Sequence, residues 1–171
     1  ILQGRQRAFP WAESGGEVAG TAMDGREGLE LIRQVKPDLL LTDICMPNMD
    51  HSDIFATANE IKRRYPEIQI VVLTPFSKEV SKRVANEDLS AIDYVFSWLG
   101  NSELLLAIIK LIEDKMNAPD DTKSVGVQII LLVEDSIRFY SSALPHLYKF
   151  VLEQSQEFSK EALNAHQQNL R

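Results

Sequence analysis

The chain has 171 residues, 44% of them hydrophobic and 25% charged, and a formal net charge of −7. That balance suits a globular domain long enough to bury a core, and its acidity argues against binding nucleic acid by neutralising phosphates. No apolar run approaches the ~20 residues that cross a bilayer, the N-terminal residues lack the plan of a signal peptide, and Cys45, the single cysteine, excludes an internal disulfide. Three scattered histidines offer no metal-ligand spacing. The composition therefore predicts a cytoplasmic domain with no nucleic-acid or membrane partner.

Residues 1–16, "ILQGRQRAFPWAESGG", have no period and end in Gly15-Gly16, which reads as a flexible lead-in. "EVAGTA" is a short strand candidate, and "DGREGLELIRQV" places Leu29, Ile32 and Val35 on one helical face. Pro37 ends that helix. Residues 39–44 then form a strand apolar on both sides, as in a covered parallel sheet. A helix over about 52–64 follows, bounded by Pro66, then a strand in "IQIVVLT" and a polar helix in "SKEVSKRVANED". "AIDYVFS" is another strand and "SELLLAIIKLIEDKM" another helix. The stripe Leu104, Leu105, Leu106, Ile108, Ile109, Leu111 and Ile112 is too apolar to bury one face only, so this helix is expected to pack against the late helix or a dimer mate. Alternating strands and helices with short loops predict an α/β fold with a parallel sheet.

Residues 118–126 read as a linker, and residues 127–171 as one more apolar strand, "VQIILLV", with a long helix in which Pro145 marks a kink or a fresh start. Ligands of parallel α/β sheets bind beyond the carboxyl ends of the strands. Asp43 stands at such an end, as do Glu134 and Asp135, while Thr74 and Ser97 close two other strands. Carboxylates gathered at one edge repel each other, and Mg²⁺, a hard cation taking oxygen ligands, reconciles them. An aspartate beside such an ion can act as a nucleophile toward a phosphoryl group.

The motifs "LLLTDICMPNMD", "VVLT" and "AIDYVFSWLGNSELLLAIIKLI" together resemble the receiver domain of two-component response regulators, over about three-fifths of the chain. The resemblance implies a flavodoxin-like (CheY-like), doubly wound, five-stranded parallel sheet, of which residues 17–117 form a receiver-like domain lacking the usual first strand. Asp43 matches the phosphorylated aspartate, the backbone carbonyl of Cys45 a metal ligand, and Met46-Pro47 the active-site loop. Thr74 matches the hydroxyl that turns toward the phosphoryl group, and Tyr94 the aromatic that moves with it. Ser97 stands where receivers carry a lysine, and His51 where they carry a glycine. The partners implied are a histidine kinase or phosphotransfer protein, and a second copy joined through the face of the last helix. A degenerate receiver, serving as a phosphorylation-independent dimerisation or regulatory module, is the alternative that the Ser97 position leaves open.

Receivers open with a strand ending in an acidic pair, and residues 1–16 contain none. "IILLVEDSIRFYSSALPHLYKFVL" is similar to that strand and its helix, with Glu134 and Asp135 as the pair. Either it completes this sheet, from the same chain or exchanged from a partner, or it begins a second, truncated receiver. The longer stretch from "LLLAIIKLIEDKMN" through "GVQIILLVEDSIRFYSSALPHLY" is similar to tandem receiver regions of proteins carrying a phosphoenolpyruvate-synthase-like module.

Overall fold

The computed structural model describes residues 15–44, 53–75, 77, 82 and 84–168. Helix α1 (Gly25–Val35) starts at Asp24, whose carboxylate accepts the Glu27 backbone N–H at 2.9 Å. The Glu27 side chain returns to the N–H of Met23 at 2.6 Å, a reciprocal arrangement of the capping-box kind. Pro37 disfavours helical geometry in the residue before it. Lys36 takes the left-handed conformation of a helix cap, φ 45°, and its N–H closes the last turn on the carbonyl of Ile32.

Strand β1 (Leu39–Thr42), helix α2 (Asp53–Arg64), strand β2 (Gln69–Pro75), strand β3 (Tyr94–Trp98) and helices α3 (Glu103–Ser124) and α4 (Ile137–Gln168) follow. The strands are parallel in the order β1-β2-β3, with Thr42 opposite Val72 and Thr74 opposite Ser97. Strand β2 is central. Its Ile70, Val71, Val72 and Leu73 are buried on both faces, as the continuous apolar run requires. On one face Val71, Leu73 and Phe96 pack against Leu104, Leu105 and Ile108 of α3 and Leu144 of α4. On the other, Ile70 meets Ile32 of α1 and Ala58 and Ile61 of α2, and Val72 meets Ile44 and Val84.

Helix α4 runs beside the outer edge of β3. Ser141 Oγ accepts the backbone N–H of Ser97 at 2.8 Å and donates to the carbonyl of Ile137 at 2.5 Å. The Tyr140 ring stacks on Phe96 with centroids 5.5 Å apart, and the Tyr148 hydroxyl donates to Asp114 at 2.6 Å. A strand edge that would otherwise invite another chain is thereby closed. The apolar stripe of α3 is covered by this late helix, as expected of it.

Several expectations are corrected. The described residues hold three strands where five were expected. Residues 16–22 form no strand, and at Gly20 the segment lies against α1 so closely that a Cβ would stand 2.6 Å from Leu31. The expected linker is helical. Helix α3 continues through Pro119 to Ser124, where the Thr122 hydroxyl donates to the carbonyl of Ala118 at 2.6 Å. Helix α4 likewise runs through the buried Pro145 without a fresh start. Residues 126–134 form no strand, because α4 occupies the β3 edge and leaves them no ladder there. The slot beside β1 is not filled by this segment within the chain.

Candidate functional site

The carboxyl ends of the three strands bring Asp43, Thr74 and Ser97 to one rim. Asp43 directly follows β1 and is half-buried, and the ladder continued by one step sets it level with Leu73, next to Thr74. Thr74 and Ser97 face each other across β2 and β3, 3% and 2% exposed. Alternation along β2 puts the Thr74 side chain on the α2 face with Val72, because Val71 and Leu73 point to α3. Thr74 Oγ1 is buried and has no hydrogen-bond partner. Such a hydroxyl normally costs about 1–3 kcal/mol, so a group that arrives at this rim would meet a donor already waiting.

Tyr94 starts β3, level with Val71 and three residues below the Thr74–Ser97 level. It sits on the α3 face, stacked on Phe96 at 6.2 Å, with the Lys115 ammonium 5.3 Å above its ring. Cys45, Met46, Pro47 and His51 lie outside the described residues.

A cluster that sequence reading missed holds the opposite rim. Asp93 accepts the Ile70 N–H at 2.8 Å and the Lys62 ammonium at 2.7 Å through one oxygen, and Lys115 at 3.2 Å through the other. Lys62 also donates to the carbonyl of Ile68 at 2.7 Å, and Lys115 to Gln69 at 2.6 Å. Burial opposes ionisation of Asp93, but the Ile70 N–H and the two ammonium groups outweigh it and hold the carboxyl below the ordinary aspartate value. An acid just before an apolar strand was the available signal, yet nothing local named its partners on α2 and α3. Asp93→Asn is expected to lower stability by about 2 kcal/mol at neutral pH, since it leaves two cations facing an amide. Because the folded value is depressed, this stabilisation is complete above the ordinary carboxylate range. It is lost as pH falls through the lowered value. Denaturant midpoints of wild type and variant should therefore converge in acid.

Glu134 and Asp135 are exposed and line an open concavity of about 460 Å³ with Leu89, Asp93, Val95 and Tyr140, on the β3 side of the sheet. Glu134 accepts the Ser136 N–H at 2.9 Å, and Ser136 Oγ accepts the Phe139 N–H at 3.4 Å as α4 begins. His146 is exposed, its Nδ1 donating to the carbonyl of Ser142 at 2.7 Å. Among the described residues no three His, Cys, Asp or Glu stand together as metal ligands. The described acids therefore do not gather into a site for Mg²⁺: Glu134 and Asp135 line the concavity beside β3, and Asp43 follows β1. No described helix is long and apolar enough to cross a membrane.

Residues 3–109 match the family model described as the response regulator receiver domain, beginning inside the segment expected to be a lead-in. The chain is 34% identical over 100 residues to response regulator MprA of Mycolicibacterium vanbaalenii, covering 58% of this chain and 41% of that protein. It is 40% identical over 99 residues to transcriptional regulatory protein PdtaR of Mycobacterium tuberculosis, covering 56% and 44%. The chain thus spans less than half the length of these curated relatives. The REC domain of AraT, a response regulator from Geobacillus stearothermophilus, shares the fold with a TM-score of 0.56 at 22% identity, covering 70% of this chain and 89% of that one. The matched family model covers the strand-end rim and most of the sheet behind it, and the chain belongs to the response regulator receiver domain family of two-component signalling.

Proposed function

We propose that Asp43 is the phosphoacceptor of this receiver, with the Thr74 hydroxyl donating to the phosphoryl group once it arrives. The observation that carries this reading is the buried, unpartnered Thr74 Oγ1 at the level next to Asp43. An Asp43 oxygen attacks the phosphorus of a phosphohistidine on a kinase or phosphotransfer protein. The P–N bond breaks, the freed imidazole takes up a proton, and an aspartyl phosphate remains. Ser97, opposite Thr74, offers a neutral hydrogen bond where other receivers place an ammonium. Charge-assisted bonds are about twice as strong, so the phosphorylated state here is held more weakly than with an ammonium at that position. Tyr94, on the α3 face, would relay the change toward α3. The reading places the domain in the cytoplasm, where the donor is.

A phosphorylation-independent scaffold is the less favoured reading, because a scaffold gains nothing from a buried hydroxyl left without a partner. Thr74→Val discriminates between the two. It keeps the shape and removes the orphan oxygen, so the unphosphorylated chain should gain about 1 kcal/mol in chemical denaturation. The same variant should lose its aspartyl phosphate faster than wild type after treatment with acetyl phosphate. A variant that gains stability and retains its phosphoryl group as wild type does would remove Thr74 from the site.

A further inference from the structure

Among the described residues β3 pairs with β2 alone, and Ser97 lies near its end, opposite Thr74. The last pairs of a ladder open most easily, because fewer neighbours support them. Tyr94 and Phe96 face α3 while Val95 faces the other way, so alternation puts Ser97 on the same face as Thr74. The Ser97 backbone N–H donates to Ser141 Oγ of α4 at 2.8 Å, in a buried bond that spans 44 residues. Ser141 is itself 2% exposed, and its own proton goes to the carbonyl of Ile137 at 2.5 Å. The hydroxyl oxygen is therefore oriented by α4 to accept from β3.

The structure assigns Ser141 the role of a positioning residue for the phosphoryl site: by holding the Ser97 backbone it fixes the β3 side of the rim, and so ties retention of the phosphoryl group to the seating of α4. This inference rests on Asp43 being the acceptor. An ammonium attracts a phosphoryl oxygen over several ångströms, since the energy of two charges falls only as the inverse of their distance. A serine hydroxyl has no such reach, because a neutral hydrogen bond is lost by ~3.5 Å. With Ser97 where other receivers carry a lysine, the site depends closely on where the β3 backbone stands. Ser141 supplies that placement from outside the sheet.

Helix α4 does not depend on Ser141 for its place. Tyr140 stacks on Phe96, Leu144 is buried with Val71 and Leu73, and the Tyr148 hydroxyl donates to Asp114 at 2.6 Å. Removing the Ser141 hydroxyl should thus free the Ser97 amide and leave the helix seated. The same link works in reverse. A group that binds better while α4 is seated must, by reciprocity, seat α4 more firmly once it has bound. Tyr94, Phe96 and Tyr140 form a column of stacked rings beside that bond, so Tyr94 too is joined to α4 through one intervening residue.

The test loads the full chain from acetyl phosphate in Mg²⁺, removes the donor and follows loss of the phosphoryl group by intact mass. Ser141→Ala should lose it about two- to tenfold faster than wild type, the worth of one neutral hydrogen bond. Ser141→Thr keeps the hydroxyl and should keep the wild-type half-life. Tyr148→Phe also removes one hydrogen bond from α4, about two turns further along the helix, and should keep that half-life too. A helix that mattered only for stability would make the Ala and Phe variants equal. Amide exchange of the wild type needs no substitution: Ser97 and residues 137–148 should exchange more slowly with the phosphoryl group in place than without it. Unchanged exchange, an Ala variant at the wild-type rate, or a Thr or Phe variant as fast as the Ala variant overturns the role of Ser141. A wild type that gains no mass overturns the acceptor reading and the positioning role together. A wild type that gains mass while Ser141→Ala behaves like it leaves Asp43 as the acceptor and removes Ser141 alone.

Discussion

Asp43→Asn is expected to abolish uptake of a phosphoryl group from acetyl phosphate while leaving the chain folded. The loss is complete because an amide at the end of β1 supplies no carboxylate oxygen to form the acyl phosphate. Stability should change little, by about 0.5–1 kcal/mol, because Asp43 is half-buried after the strand and not part of the packed interior. Intact mass before and after treatment reads the first effect, and a denaturant midpoint the second. A variant that still gains the mass of a phosphoryl group would move the acceptor elsewhere. Among the described residues Asp43 is the carboxylate that follows β1, one step past the Thr42–Val72 pair.

The second large effect is structural. Phe96→Ala should cost about 3–5 kcal/mol, a large share of the ~5–15 kcal/mol that holds a typical domain. Phe96 is fully buried between the sheet and both α3 and α4, and its ring contacts Tyr94 at 6.2 Å and Tyr140 at 5.5 Å. Aromatic pairs add about 0.5–1.5 kcal/mol beyond the area they bury. Truncation therefore empties a volume that three helix and strand surfaces share. Helix α4 should lose amide protection first, since Tyr140, Leu144 and the Ser97–Ser141 hydrogen bond tie it to β3. Phe150→Ala is the matched control. That ring is 60% exposed, so its removal should shift the midpoint by less than a quarter as much. Equal effects from the two would mean α4 does not sit on β3 through this cluster.

The same residues show how much was legible beforehand. Strand β2 was readable from "IQIVVLT" because a strand covered on both faces must be apolar at every position. Helix α1 was readable from its period and from Pro37. The strand-end rim followed from these, since in a parallel sheet every strand delivers its last residue to the same side, and Asp43, Thr74 and Ser97 arrive there together. The acid pair was different. "IILLVEDS" has the composition of a first strand, and composition cannot say which edge a strand takes or whether it takes one. That depends on Ser141, which is unremarkable in sequence and bonds a backbone group 44 residues away. Asp93 was missed for the same reason, since its cations come from α2 and α3.

By itself the sequence determined the parallel α/β class, the receiver family and the identities of the residues at the rim. Each of these is set by local period, or by short motifs whose neighbours along the chain are their neighbours in space. Only the tertiary structure decided that α4 closes the β3 edge, that residues 126–134 join no strand, and that Glu134 and Asp135 line a concavity beside β3. Those outcomes turn on competition between distant surfaces for the same sheet edges. A hydrogen bond and a stacked ring pair settle it at β3, and neither partner in either contact signals the other along the chain.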